Sequence, residues 1–520
     1  MSRITTARGA AVIAAVAASA LVLSACSGSG GGGESGAPVD TSKLIIGLDS
    51  DQAALGYDPV RYGTGQRMFF EGIYDSLFRL DEEGQVVPDL VTSFEYNEDS
   101  TQLTLDLDTE ATFDDGSTLT ADLVKQNLDA RGGADLSAYS GFAEGGQNEI
   151  SDVTVVDDDT VTLTFTRPQA GFEANLVMPG GAIVGPTGAA DRATLDSTPD
   201  GSGPLSIDAD ATVKGNSYLL VKKEDNPDAE NYPFDSYEFR PILDPQARVN
   251  AAISGEVDLA NIGSDQQAQV ESAGTGLVAN GGTVQNIIAF DKKGALGPQW
   301  ADPRVYQALS MAIDRETYVG AVHPGNLPTA NAMPADSPGF LPELDEQYAY
   351  DPEGAKELLA EAGYPDGFAF DFTINQGSQR DLEALQPYWE AIGVKMTLKN
   401  AASTEELFAV VSTEPLGGPL PLTWTNPLGN VFGVLFGFAN FHKAENPDIQ
   451  AAAGAYGAAQ DDAAKETALQ DLNRAIVDSG WLIPLYEQLS PWAYNEAKVA
   501  ELTFPGAESF PILSAIQPAS

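Results

Sequence analysis

The chain has one cysteine and two histidines in 520 residues. A single thiol rules out any intramolecular disulfide, so the fold must rest on size and packing. His323 and His442 stand in no metal-ligand spacing, and neither H-E-x-x-H nor the phosphate-binding G-x-x-x-x-G-K-[ST] occurs. A nickel site built on histidines is thereby excluded, although a chelated metal would need none. Basic residues are scarce: 27 Lys and Arg face 76 Asp and Glu, a formal net charge of −49. Such a surface repels phosphate backbones, which excludes a DNA or RNA partner. It serves to keep a protein soluble or to attract cations. No long apolar run follows residue 43; the stretch 431–438 is short and broken by Gly433 and Gly437, well below the roughly 20 residues that span a bilayer.

The first 42 residues have a different character. Arg3 and Arg8 precede an apolar run over 10–23, followed by Leu23-Ser24-Ala25-Cys26. A charged start, a short apolar segment and small residues before cysteine form an export signal of the lipoprotein type. Residues 1–25 are therefore expected to be removed and Cys26 acylated, which places the chain on the outer face of the cell membrane. Residues 26–42 are rich in Gly and Ser and read as a flexible tether. An acylated Cys26 is not available as a catalytic nucleophile.

Two secondary-structure periods then alternate. Leu44-Ile45-Ile46-Gly47-Leu48 is a continuous apolar strand of the fully buried kind. Residues 102–108 alternate, with Leu103, Leu105 and Leu107 on one face. Residues 153–155 and 161–165 flank Asp157-Asp158-Asp159 and predict an antiparallel hairpin. Later, Asp302-Pro303 and Asp351-Pro352 each give an N-cap followed by proline at the first helical position. Val305, Leu309, Ala312 and Ile313 make one apolar stripe; Leu382, Leu385, Trp389 and Ile392 make another. The second lies between expected strands at 368–374 and 394–398, a β-α-β arrangement. Asp314-Arg315 reads as the close of a helix, with an exposed ion pair of little energetic weight.

Several segments, in order, resemble one family. Pro88-Asp89-Leu90-Val91-Thr92-Ser93-Phe94-Glu95 precedes Phe113-Asp114-Asp115-Gly116-Ser117-Thr118-Leu119. Gly201-Ser202-Gly203-Pro204, Ser254-Gly255-Glu256-Val257-Asp258 and Asp302-Pro303-Arg304-Val305-Tyr306-Gln307-Ala308-Leu309 follow, then Ala362-Gly363-Tyr364 and Trp389-Glu390-Ala391-Ile392-Gly393-Val394. Together they resemble the extracellular solute-binding proteins, family 5, the peptide- and nickel-type receptors of ABC importers. The resemblance implies an α/β, two-lobed clamshell of the periplasmic-binding-protein type (type II, with an extra β-rich subdomain). It places lobe I at 43–65, 199–286 and 486–520, the β-rich subdomain at 66–198 and lobe II at 287–485. The chain would cross between lobes near 286–291 and return near 480–486. The implied protein is a monomer that captures a peptide or other bulky organic solute and delivers it to ABC permease subunits. It has no cofactor or metal and is not an enzyme.

In peptide-binding relatives a W-x-x-D-type segment of lobe II pairs an aspartate with the peptide amino terminus. Here the matching stretch is Leu422-Thr423-Trp424-Thr425-Asn426-Pro427, and no acid occurs between Glu414 and Glu445. Asn426 can accept a hydrogen bond but cannot neutralise an ammonium group. This departure opens an oligosaccharide receptor of the same family as the alternative. Trp424 and Asn426 remain candidate ligand contacts. Asp49 and Tyr57 are candidates beyond the first strand, and Tyr486 on the returning crossover. Asn375, Gln376, Gln379 and Arg380 follow the strand 368–374, at the carboxyl end where α/β clefts bind ligand. A surface hydrolase with paired carboxylates is the rival class, but adjacent acids such as Asp114-Asp115 arise by composition alone in so acidic a chain.

Overall fold

Leu44–Leu48 runs parallel to both of its neighbours, Ser236–Pro241 and Leu259–Asn261, inside a nine-stranded mixed sheet. A strand paired on both edges and covered on both faces must be apolar at successive positions. Leu44, Ile46 and Leu48 on one face are at most 1% exposed, while on the other Gly47 is buried and Ile45 half-buried. The structure is a computed structural model that describes residues 42–131, 142, 149–374, 377–424, 426–459, 461–506 and 508–519. Outward from Ser236–Pro241 the sheet continues through Tyr218–Lys222 to Leu205–Ile207. Phe69, Phe70, Tyr218, Phe239 and Trp492 fill the core beneath it. Asp258, from the Ser-Gly-Glu-Val-Asp segment, is a structural pin: its carboxylate accepts the Ile45 N–H at 2.9 Å and pairs with Lys498 at 3.1 Å.

On the other side of Leu259–Asn261 lie two long antiparallel strands, Gly276–Ala289 going out and Leu482–Tyr494 returning. Residues 276–280 pair with 490–494 beside the first core, and 283–288 pair with 482–488 beside the second. The register breaks between Asn280 and Thr283, so Gly281 and Gly282 bulge out of the ladder. Glu487 explains why glycine stands there. Its carboxylate is buried, with Oε1 accepting the Gly282 N–H at 3.1 Å and Oε2 the Ala335 N–H at 2.9 Å. A Cβ on residue 281 would lie 1.8 Å from Oε1. Burial pushes the Glu487 carboxyl above its ordinary range.

A four-stranded antiparallel sheet, Val91–Tyr96, Gln102–Leu107, Thr160–Phe165 and Ile150–Val155 in spatial order, forms a separate β-rich core. The expected hairpin is its last pair, with Val155 opposite Val161. Helix Ala121–Ala130 covers it, capped by the Thr120 hydroxyl on the Leu123 N–H at 3.2 Å.

Beyond the crossover the chain builds two further cores, one on Trp300 and Trp389, the other on Trp424 and Trp481. Helix Pro303–Met311 begins at Asp302 and helix Pro352–Glu361 at Asp351, both with the anticipated proline. Phe368–Ile374 and Val394–Asn400 pair in parallel around helix Gln379–Ala391, and Trp389 Nε1 donates to the Leu309 carbonyl at 3.0 Å. Asp314-Arg315 departs from expectation. Asp314 opens helix Arg315–Val322 as its N-cap, and Arg315 is buried. Its guanidinium donates to the carbonyls of Pro484 (3.0 Å), Ser310 (3.2 Å) and Tyr348 (3.1 Å). Five rigid donors suit it to gathering carbonyls from separate segments. Among the described residues no helix is long and apolar enough to cross a membrane.

Candidate ligand cleft at the crossover

The two parallel strands Leu44–Leu48 and Leu259–Asn261 end side by side, and their carboxyl ends open the site. The Asp49 N–H donates to Asn261 Oδ1 at 3.1 Å. Together with Asp265 these residues line a cavity of about 530 Å³. His323 and Asn326 line it from beyond the crossover, and so do Tyr486, Gln488 and Trp492 on the returning strand. Nearby, Gln267 Nε2 donates to the Gly325 carbonyl at 3.0 Å. Leu489, opposite the glycine bulge, gives its N–H to Asn326 Oδ1 at 2.9 Å. The cavity therefore lies beside the break in the ladder at residues 281–282.

His323 ends helix Arg315–Val322, and its ring stacks on Tyr486 with centroids 4.4 Å apart and planes 27° from parallel. Its Nε2 meets Asp381 Oδ1 at 2.5 Å, and the Tyr318 hydroxyl donates to the same oxygen at 2.7 Å. Burial alone would raise the Asp381 carboxyl; the bonds from His323 and Tyr318 outweigh it and hold the group below its ordinary range. An ionised Asp381 only accepts, so Nε2 carries the proton and the imidazole is fixed in orientation. Burial, followed by the Asp381 charge, pushes the Tyr486 hydroxyl up, so it is a neutral hydrogen-bonding group.

Of the residues singled out from sequence, Asp49 and Tyr486 come together in this cavity. Tyr57 is buried in the first-lobe core, where its carbonyl accepts the Tyr74 hydroxyl at 2.6 Å. Trp424 is 7% exposed within a second-lobe core, and its indole N–H donates to the Ala332 carbonyl at 2.5 Å. Asn426 caps a short helix by accepting the Gly429 N–H at 2.9 Å. Gln379 bonds Glu383 at 2.7 Å one turn along its own helix. Arg380 is exposed and donates to the Ala321 carbonyl at 3.0 Å, two residues before His323. Cys26, Asn375 and Gln376 lie outside the described residues. Sequence reading missed Asn261, although it ends a strand just as Asp49 follows one. It also missed His323, which was weighed only as a metal ligand. Among the described residues no group of three or more His, Cys, Asp or Glu is arranged to hold a metal ion.

The profile of the bacterial extracellular solute-binding proteins, family 5 (middle region) matches residues 85–446, more than half of the chain. The chain belongs to this family. The glutathione-binding protein GsiB of Salmonella typhimurium is 28% identical over 335 residues, which is 62% of this chain and 63% of that protein. The match thus spans less than two thirds of the relative's length. Among solved structures, HbpA2 from Haemophilus parasuis superposes with a TM-score of 0.75 at 21% identity, covering 92% of this chain and all of that one. The periplasmic binding protein DppA from Helicobacter pylori, in complex with the peptide STSA, gives 0.66 at 18% identity, covering 93% and 99%. The two-lobed α/β class expected from the sequence is the fold these binding proteins share. A family 5 chain is a solute-binding protein.

Proposed function

We propose that this family 5 chain is a lipid-anchored receptor that captures a peptide-like, zwitterionic solute in the crossover cavity and passes it to an ABC permease. The observation that carries the reading is the composition of the cavity walls. Asp49 and Asp265 stand on one side, and His323, held by Asp381, stands on the other. Two carboxylates near one wall suit an ammonium group and supply the acid that 424–427 lacks. A ligand touching both walls favours the closed arrangement, because only that arrangement offers all its contacts. A volume of about 530 Å³ lies within the usual range for small-ligand pockets. The naming of relatives for glutathione and the capture of a peptide by DppA agree with this ligand class. We further propose that the lobe division expected from the sequence holds, with its pivot at residues 281–282 and 489.

Trp492 lines the cavity, so intrinsic fluorescence reports occupancy. Titration with glutathione and a panel of tripeptides should give saturable binding, and acetylating the ligand amine should weaken it at least tenfold, about 1.4 kcal/mol. Equal affinity for acetylated and free amines would remove Asp49 and Asp265 from amine recognition. Saturable binding of oligosaccharides alone would establish the alternative ligand class. Cys26→Ser should release the protein from membranes into the medium; continued membrane attachment of that variant would refute the anchor.

A further inference from the structure

The chain keeps only two histidines, and their rings are placed differently. Nε2 of His442 is buried without a hydrogen-bond partner. The His323 ring is held on all but one of its polar edges. Its Nε2 meets Asp381 Oδ1 at 2.5 Å and its face lies on Tyr486. Its Nδ1 has no hydrogen-bond partner among the described residues. Unlike Nε2 of His442, this nitrogen is not sealed from solvent. The side chain is 23% exposed, and the open space it borders is the crossover cavity.

The local fold explains why the ring points this way. His323 ends helix Arg315–Val322, with its N–H on the Val319 carbonyl at 2.8 Å. Tyr318 of the same helix donates to Asp381 Oδ1 at 2.7 Å. One helix thus grips the carboxylate at two points, and the carboxylate in turn stops the ring from rotating. A free imidazole exchanges its two nitrogens by tautomerism and ring flips; here Nε2 alone can face Asp381, so Nδ1 alone is offered to the cavity.

Four ionisable side chains line the cavity: Asp49, Asp265, His323 and Tyr486. Imidazole is the one among these types whose charge changes between pH 5 and 8. The groups around the ring are Asp381 and Arg380 on helix Gln379–Ala391, Tyr318 on its own helix and Tyr486 on the returning strand. Asp381 is held below its ordinary range, and burial first, then the Asp381 charge, pushes both tyrosine hydroxyls up. An arginine stays charged. The surroundings of the ring therefore keep their charge while the ring itself can change.

That change reverses what Nδ1 offers. With one proton, on Nε2, the ring presents a lone pair at Nδ1, which repels a carboxylate. With a second proton Nδ1 becomes a donor, and its bond to a carboxylate is charge-assisted. We propose that the crossover cavity, taken as the ligand site, binds the carboxylate of its ligand together with one proton from solvent. The proton goes to Nδ1 of His323, which donates it to the ligand carboxylate as a hydrogen bond. Asp381 is the positioning residue that turns Nδ1 to the cavity and supplies the counter-charge. Affinity then falls as pH rises, because the complex holds a proton that the empty site has released.

The test uses S-methylglutathione, which has no ionisable thiol and whose other groups keep their charge between pH 6 and 7.5. Calorimetry of the full chain at pH 7, in two buffers of different protonation enthalpy, counts the protons taken up on binding. Trp492 fluorescence gives the affinity at each pH. Binding should take up a fraction of a proton and be at least fivefold weaker at pH 7.5 than at pH 6. His323→Gln should abolish the uptake and flatten the profile. Asp381→Asn has the same shape; it should weaken binding at least tenfold at pH 6 and at least halve the uptake, with thermal melts confirming that both variants are folded. Saturable binding with no proton uptake overturns this inference and leaves the receptor reading standing. Uptake that persists in His323→Gln, or is unchanged in Asp381→Asn, overturns it too. Absence of any saturable binding, by this ligand or by the tripeptides, overturns the receptor reading and the proton linkage with it.

Discussion

Lys292 gives the sharpest test of the burial argument. It lies beside helix Asn430–Phe438, where its Nζ donates to the carbonyls of Ala439 at 2.7 Å and Leu435 at 3.2 Å and sits 4.5 Å above the Trp481 ring. Desolvation lowers its amine from 10.5 to about 7. A folded value below the unfolded one means that, between about pH 7 and 10.5, the unfolded chain holds a proton that the folded chain has released. Stability contributed through this group therefore rises with pH across that window, with a limiting slope of about 1.4 kcal/mol per pH unit. The full span amounts to at most about 4–5 kcal/mol. Lys292→Met keeps the length and removes the titration. Urea unfolding of both proteins at half-unit steps from pH 7 to 9 should show the stability difference, wild type minus variant, growing by about 2 kcal/mol over the range. Parallel curves would mean that the amine is as well hydrated folded as unfolded, and the reasoning from its surroundings would fail.

The other expectations concern the cleft and its supports. His323→Ala and Tyr486→Ala each remove one member of the stacked pair and should weaken ligand binding at least tenfold, read by Trp492 fluorescence; unchanged affinity would take the pair out of the site. Gly281→Ala puts a methyl group onto Glu487 Oε1 and should lower stability by about 1–3 kcal/mol, with Glu487→Gln similar because an amide cannot accept both N–H groups. Equal melting curves for these variants would show that the bulge is unconstrained. Trp424→Ala should cost about 3–5 kcal/mol of folding stability, as expected for an emptied core position. Lost binding at full stability would restore Trp424 to the ligand.

Much of the fold was legible because it rests on local chemistry. The Asp-Pro starts at 302 and 351, the Leu103–Leu105–Leu107 alternation and the apolar run at 44–48 each declare an element through rules of capping, period or burial. The site was less legible because its members come from distant segments and each has an ordinary local role. Asp49 was singled out from its position after a strand, and Tyr486 from its place on the expected crossover, and both line the cavity. Asn261 obeys the same rule as Asp49, but the strand before it is only three residues long. His323 acquires its meaning from Asp381 and Tyr486, which are far away in sequence. Trp424 illustrates the opposite case. Its local motif suggested a ligand contact, yet an indole with a satisfied N–H and 7% exposure serves packing first. Arg315 was misread because adjacency to Asp314 suggested a pair, whereas three carbonyls from separate segments hold it.

The paired crossover strands also bear on how such a protein reports its state. Two separate linkers would let the lobes swing, slide and twist. Here the outgoing and returning strands are hydrogen-bonded to one another on both sides of residues 281–282, and the register shifts there and again between Gln285 and Asn286, so the irregular part of the ribbon is confined to one short stretch. Under the lobe division proposed above, relative motion would be concentrated in that stretch, and the buried Glu487 carboxylate would hold it from inside. A membrane partner that senses the distance between the lobe tips would in effect be reading the bend of this short stretch of ribbon. Sequence change far out on either lobe could then retune the partner without disturbing the ligand, and change at the pivot would alter both at once.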